Sequence, residues 1–266
     1  LKHQTWPVEI FIRDNNAENI YFTAAVNEGL RRYMDRPFDF ALILNQDMYL
    51  VPDAVETMVR FMEAHPACGI GAPLQLDAGH PERVIWAGGC EAFPAGRHQV
   101  GELADFQQNA EILWANGACI MLRKTMIREI GLMDENLVFI GSDSDYSFTA
   151  RSRGWQIWRI AGACGIHEQG VSGEISNLEI EALKLGDLLR FGRKWLTGSL
   201  YRDLAHPDEP SAEQAAEILV RVEETRTLLQ RYIAEGRSVQ EVLDGARLRR
   251  PEELRDGAAM QPGVLG

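Results

Sequence analysis

The segment Phe40–Leu44, Phe-Ala-Leu-Ile-Leu, is apolar at every position and runs straight into Asn45, Gln46 and Asp47 with no glycine to turn the chain. A strand that is apolar on both sides of its pleat has to be covered on both faces, and this is the pattern of a parallel sheet layered between helices. The adjoining segment agrees with it. Residues 52–66 place Val55, Met58, Val59 and Met62 at i, i+3, i+4 and i+7, with Pro52 and Asp53 at the start and Pro66 beyond the end, which predicts a helix lying on that sheet. Ligands of open α/β sheets collect outside the carboxyl ends of the strands, so the strand aims Asp47 at a cleft. An acidic residue between strand and helix also serves as a turn former or cap, and its position alone does not separate the two roles.

The alternation continues along the chain. Residues 8–12 read as a strand and 21–34 as a helix ending before Asp35, Arg36 and Pro37; short strands are predicted at 69–75, 83–89 and 112–122. The last feeds a helix over 124–130 that Gly131 stops. A helix from Ser144 to Arg153, stopped by Gly154, and a strand over 155–162 complete the pattern. Such order predicts an α/β protein with an open, mostly parallel sheet between helices. Beyond Pro207 the pattern changes to one long amphipathic helix over 211–236, a shorter one over 238–246 and a frayed end. Residues 207–266 are therefore expected to be a helical C-terminal appendage without chemistry of its own.

A chain of 266 residues can bury one large core or a core plus an appendage. The formal net charge of -12 argues against a nucleic-acid partner, which needs a basic surface, yet it suits a divalent cation that brings a phosphate group to an acidic cleft. Cys68, Cys90, Cys119 and Cys164 form no C-x-x-C pair, so neither a zinc site nor a disulfide framework is indicated, and a reducing cytoplasm is expected. No apolar run approaches the ~20 residues that cross a bilayer. Peripheral contact at the inner face of a membrane stays compatible with the sequence.

A second acidic site is Asp143 with Asp145, at the start of a predicted helix. Ser142 and Asp145 have capping-box spacing, and a helix N-terminus favours acids, so capping alone accounts for both. A catalytic role requires one of them to be unpaired, to face the cleft and to take a proton from a substrate hydroxyl. His167, after a strand, is either a structural histidine or a ligand for a divalent ion or phosphate. Gly170 and Gly173 around Ser172 predict a mobile loop, and the absence of G-x-S-x-G there removes the serine-hydrolase elbow. Trp86, Trp114, Trp155 and Trp158 offer rings for sugar stacking, with core packing the commoner fate of such residues.

Taken in order, these segments resemble the inverting family 2 glycosyltransferases of the GT-A fold, in particular their rhamnosyltransferase-like branch. Residues 19–29 resemble N-x-G-F-A-x-A-x-N-x-G, with Tyr21 in the place of its glycine. Residues 42–55 resemble the strand-end L-L-N-x-D that stands in for D-x-D. Residues 114–155 resemble the acceptor-side stretch with its G-x-x-x-x-x-R, I-G-x-F-D-E, E-D-x-D and R-x-x-G, and residues 166–173 the H-x-x-G-x-S beyond it. The resemblance spans Asn19 to Gly173 and implies a three-layer α/β/α GT-A domain over 1–206. It implies inverting transfer of a sugar from a nucleotide-diphosphate sugar to a glycan, lipid-linked or protein acceptor, in cell-envelope or other glycan synthesis. It further implies that Asp47 and His167 hold Mg2+ or Mn2+, that Asp143 is the catalytic base, and that Asn45, Asp47, Asn116, Gly117, Asp145 and Arg151 bind donor or substrate. Two departures stand out. Ser142 replaces the usual glutamate, and the family's nucleotide-binding first strand and loop have no counterpart before Asn19, so the expectation is an N-terminally incomplete or divergent domain.

Rival readings are a metal-dependent nucleotidyltransferase or phosphohydrolase, which also uses separated acids, and a catalytically inactive GT-A-like binding domain. A dinucleotide oxidoreductase is disfavoured, because the G-x-G of Gly69 and Gly71 lacks a third glycine and runs into Pro73.

Overall fold

The computed structural model describes residues 1, 3–15, 18–93, 96–168, 177–196, 211–238 and 241. In chain order the elements are α1 (Tyr21–Tyr33), β1 (Phe40–Leu44), β2 (Met48–Leu50), α2 (Ala54–Ala64), β3 (Cys68–Asp77), β4 (Arg83–Trp86), β5 (Gly101–Glu102), β6 (Ala110–Glu111), β7 (Cys119–Arg123), α3 (Lys124–Ile130), α4 (Ser142–Arg151), β8 (Gln156–His167), α5 (Leu178–Trp195) and α6 (Ala212–Ala234).

The period of two along β1 explains its uninterrupted apolar run. Ala41 and Ile43 face a core shared with Leu30 of α1, Met126 and Ile127 of α3, and Tyr146 and Ala150 of α4. Phe40 and Leu42 face the opposite core, built on Ala54, Val55, Met58, Val59 and Met62 of α2. Strand β7 divides the same way, with Ile120 and Leu122 on one side and Met121 on the other. The result is a sheet between two helical layers, as the sequence pattern requires.

The strand directions correct the expectation of a mostly parallel sheet. Among the described residues only β3 and β8 run parallel; β1 pairs with β7, β7 with β3, β3 with β4, β4 with β5, and β8 with β2 and β6, all antiparallel. Cover on both faces is what makes a strand uniformly apolar, and helices supply it for β7 and, partly, for β1, whose five residues stay half-buried, whichever way the strands point. Residues 8–12 also differ from expectation, since no strand forms there. Trp6 and Val8 pack with the α2 layer, whereas Phe11 stacks edge-on against Tyr33 of α1 and Arg13 pairs with Glu28. The segment thus passes from one layer to the other and forms no ladder along β1.

Helix α1 is clamped onto the loop between α3 and α4. The Thr23 hydroxyl donates to the Leu137 carbonyl, and the Asn27 side chain bonds both the carbonyl and the amide of Met133, at 2.8 and 3.0 Å. Thr23 and Asn27 are buried, so these bonds compete with no water. Helix α4 begins at Ser142, two residues earlier than expected, with Gly141 at φ 74 as its N-cap. That left-handed conformation suits glycine, and no side chain caps the helix, so the capping-box explanation of Ser142 and Asp145 does not hold.

Helix α6 starts on a capping box formed by Ser211 and Gln214. Its Ala215, Ile218 and Leu219 join a cluster containing Phe93, Trp114, Phe148 and Phe191, so this helix shares a core with α4 and α5. No helix among the described residues is long and apolar enough to cross a membrane. The expected loop around Ser172 lies outside the described residues, as do most of the expected helix 238–246 and the frayed end.

Candidate active site

At its carboxyl end β1 hands the chain to a backbone-bonded turn. The Asn45 amide donates to the Ala118 carbonyl at 2.9 Å, and the Met48 amide donates back to the Asn45 carbonyl at 3.3 Å. Strand β2 then pairs with the end of β8, opposing Met48 to His167. This register brings Asp47 Oδ1 to 3.6 Å from His167 Nε2, and each side chain is 12% exposed. That separation is too long for a hydrogen bond, and Asp47 Oδ1 is buried with no hydrogen-bond partner. On the other side of the ring, His167 Nδ1 bonds Gln75 Oε1 at 2.9 Å. That contact orients the ring so that Nε2 faces Asp47. The unpartnered Asp47 oxygen and the ring nitrogen beside it are the two donors this corner offers to a divalent ion. Among the described residues no cluster of three His, Cys, Asp or Glu side chains surrounds it.

Asp143 lies one hydrogen bond away from the β1–β7 junction. Its Oδ2 accepts from the Gly117 amide at 2.9 Å, and its Oδ1 from the Ser144 amide at 2.8 Å. The approach is close, since a Cβ at Gly117 would meet the Phe22 ring at 2.6 Å and the ring would have to move. The condition set for a catalytic role, an unpaired Asp143, is not met: each oxygen holds a backbone amide, and a base role there rests only on the lone pairs those amides leave. A carboxylate offers about four acceptor positions, so two remain. Burial pushes the Asp143 carboxyl above the usual aspartate range, while the amides of Gly117, Ser144 and Asp143 itself pull the other way.

An open cleft of about 2750 Å³ runs past this point, lined by Asn45, Asn116, Gly117, Asp143, Tyr21 and Phe139 among others. Gln46 and Met48 also line it, whereas Asp47 between them is turned back toward His167. The Asn116 side chain closes its own turn by accepting the Ala118 amide at 2.7 Å. Asp145 is placed elsewhere: it is 2% exposed, and Lys194 Nζ at 2.9 Å and Trp195 Nε1 at 2.7 Å occupy its two oxygens. Arg151 ties the end of α4 to Glu111 and the Ile112 carbonyl, at 3.1 and 3.0 Å. These partners account for Asp145 and Arg151 as fasteners of α4, outside the cleft lining. Trp86 and Trp114 are buried in the core, and Trp114 also lines the cleft.

No protein-family model matches the sequence, and no curated protein does. Among solved structures, GalNAc-T7 with UDP, GalNAc and Mn2+ superposes with a TM-score of 0.52 at 13% identity, over 71% of this chain and 37% of that one. The fold is GT-A. Ligands of open α/β sheets collect outside the carboxyl ends of the strands, and near the end of β1 this chain places Asn45, the Asp47–His167 pair and Asp143. The chain spans little more than a third of that structure's length, and the likeness concerns the fold.

Two side chains that shape the site are not conspicuous in the sequence. Gln75 interrupts an otherwise buried apolar stretch of β3, and that interruption is the available signal. Asp187 of α5 gives none. It is 3% exposed and accepts three consecutive amides, Val138 at 3.0 Å, Phe139 at 2.6 Å and Ile140 at 2.9 Å, so it fixes the loop that leads into Asp143. Asp187→Asn leaves one carbonyl oxygen to serve three donors. It is expected to lower unfolding free energy by about 2 kcal/mol in a denaturant titration, and to accelerate hydrogen exchange at those three amides. Unchanged exchange there would remove Asp187 from this role.

Proposed function

We propose that this chain is a nucleotide-sugar-dependent glycosyltransferase of the inverting type, close to family 2 and its rhamnosyltransferase-like branch, transferring a hexosyl group to an acceptor hydroxyl. The observation that carries the reading is the placement of Asp143: a carboxylate fixed on the cleft wall by the Gly117 amide, at the strand end that also delivers the Asp47–His167 pair. The GT-A fold supports it, and so does the order of motifs from Asn19 to Gly173.

The acceptor hydroxyl donates its hydrogen bond to a vacant lone pair of Asp143. As the acceptor oxygen attacks the anomeric carbon, its proton passes to that carboxylate. The bond from the anomeric carbon to the diphosphate breaks on the opposite face, so the configuration inverts without a covalent enzyme intermediate. A carboxylate whose proton affinity is raised toward the working pH is a stronger general base, and burial of Asp143 supplies that. The amides of Gly117 and Ser144 fix its direction, and Asp187 holds the loop behind it. Asp47 and His167 would hold Mg2+ or Mn2+, with Gln75 fixing the imidazole. Such an ion, when bound, supplies charge neutralisation for the leaving diphosphate.

Asp143→Asn removes the base and leaves one carbonyl oxygen for the Gly117 and Ser144 amides, so transfer is expected to fall about 10²–10⁴-fold, with nucleotide-sugar binding measured alongside to show that the cleft is still formed. In the unsubstituted protein the base works only when ionised. Because its proton affinity is raised in the fold, kcat/KM should decline as pH falls through a value above the ordinary aspartate range. Full turnover of the variant, or an acid limb at the ordinary aspartate value, contradicts the assignment. Product analysis belongs to the same assay: nucleoside diphosphate should appear only together with glycosylated acceptor, whereas release without glycosylation points to a phosphohydrolase.

Gln75→Leu gives a separate test of the ion-holding pair. Loss of the partner that orients a ligating imidazole costs about 10–100-fold in metal affinity. Calorimetric titration with Mn2+ should show that loss while Asp143→Asn binds like the unsubstituted protein. Equal affinity in Gln75→Leu would place the ion elsewhere.

A further inference from the structure

Tyr21 has φ 61, and among the described residues it is the one side-chain-bearing residue at positive φ. A tyrosine in the left-handed region is out of place, because its Cβ crowds the following carbonyl. The conformation persists where surroundings over-determine it, and such residues cluster at functional sites. Here the surroundings are visible. Asn19 Oδ1 accepts the Tyr21 amide at 2.9 Å, closing an Asx turn, and α1 begins at once. Phe22 comes next and rests on Gly117, whose amide holds Asp143, and Thr23 bonds the loop that leads to Phe139.

The strained backbone has one geometric result. It sets the Tyr21 ring edge-on to Phe139, with centroids 6.2 Å apart and planes at 72°. Phe139 is itself pinned through its amide by Asp187 and covered by the Lys184 ammonium at 5.6 Å. Both rings line the cleft, as does Asp143. A pyranose presents a face of C–H bonds that packs on aromatic rings and a rim of hydroxyls that needs polar partners. Two rings on the wall of a cleft that Asp143 also lines offer both.

We propose that Tyr21, with Phe139, is the platform on which an uncharged pyranose ring rests so that one of its hydroxyls reaches Asp143, and that Tyr21 thereby determines acceptor specificity. The proposal deepens the glycosyl-transfer reading and rests on it for the nature of the ligand. Tyr21 positions the sugar and takes no proton.

The test is saturation-transfer NMR of the full chain with methyl pyranosides of glucose, galactose, mannose and rhamnose, which needs no turnover. At least one should receive saturation on its ring C–H protons. Tyr21→Gly, whose backbone is at ease at this φ, should melt within about 3 °C of the unsubstituted protein or above it, and should lose that signal about tenfold or more. Tyr21→Phe should keep it. Three results overturn the proposal: no pyranoside signal in the unsubstituted protein, an unchanged signal in Tyr21→Gly, or a melting point lowered by ~10 °C in that variant, which makes the ring a packing element. A Tyr21-dependent signal in a protein that transfers no sugar leaves the platform standing and defeats the transferase reading. Transfer with a Tyr21-independent signal does the reverse.

Discussion

The pairing of β1 with β7 is the constraint on which the site depends. Five residue pairs from Phe40↔Arg123 to Leu44↔Cys119 set the two strands in one register. That register continues past the ladder, where the Asn45 amide meets the Ala118 carbonyl and the neighbouring Gly117 amide meets Asp143. A slip of one residue would turn Ala41 and Ile43 toward α2 and expose every side chain of the strand to the wrong core. Hydrophobic burial therefore fixes the register, and the register fixes where the Asp143 carboxylate is held. The second ladder, β2 on β8, does the same for Asp47 and His167.

Three aspartates near one another show how backbone and partners divide their roles. Asp143 and Asp145 are two residues apart on α4, a spacing that sends side chains to different faces of a helix. One is held by backbone amides at the cleft; the other is turned to α5 and neutralised by Lys194. Asp187 answers from α5 with a carboxylate spent on three amides. Burial raises the proton affinity of Asp143 and Asp187 alike, so position relative to the cleft, and not proton affinity, separates base from brace.

Much of this is legible in the sequence, for reasons that can be stated residue by residue. The apolar run of β1 carries its own prediction of two covering layers, and Asp47 follows from the way that run ends. Strand direction is not legible, because burial on both faces erases the alternation that marks antiparallel strands. The near equivalence of Asp143 and Asp145 in sequence conceals a division that depends on Lys194 and Trp195, about fifty residues downstream. Gln75 meets His167 across ninety-two positions, and no local pattern encodes such a contact. Tyr21 stands out in the sequence as a replacement for a glycine, yet its positive φ belongs to the fold, since nothing in a tyrosine asks for it.

The central claim is that the ion-holding pair and the carboxylate base serve one strand end. Paramagnetic broadening of assigned amide resonances by substoichiometric Mn2+ tests it with no substrate and no turnover. Signals of His167 and Gly117 should broaden together, and Asp47→Ala should abolish both effects. Broadening centred on any other part of the sheet, or persisting in Asp47→Ala, would separate the two and leave the cleft without its proposed chemistry.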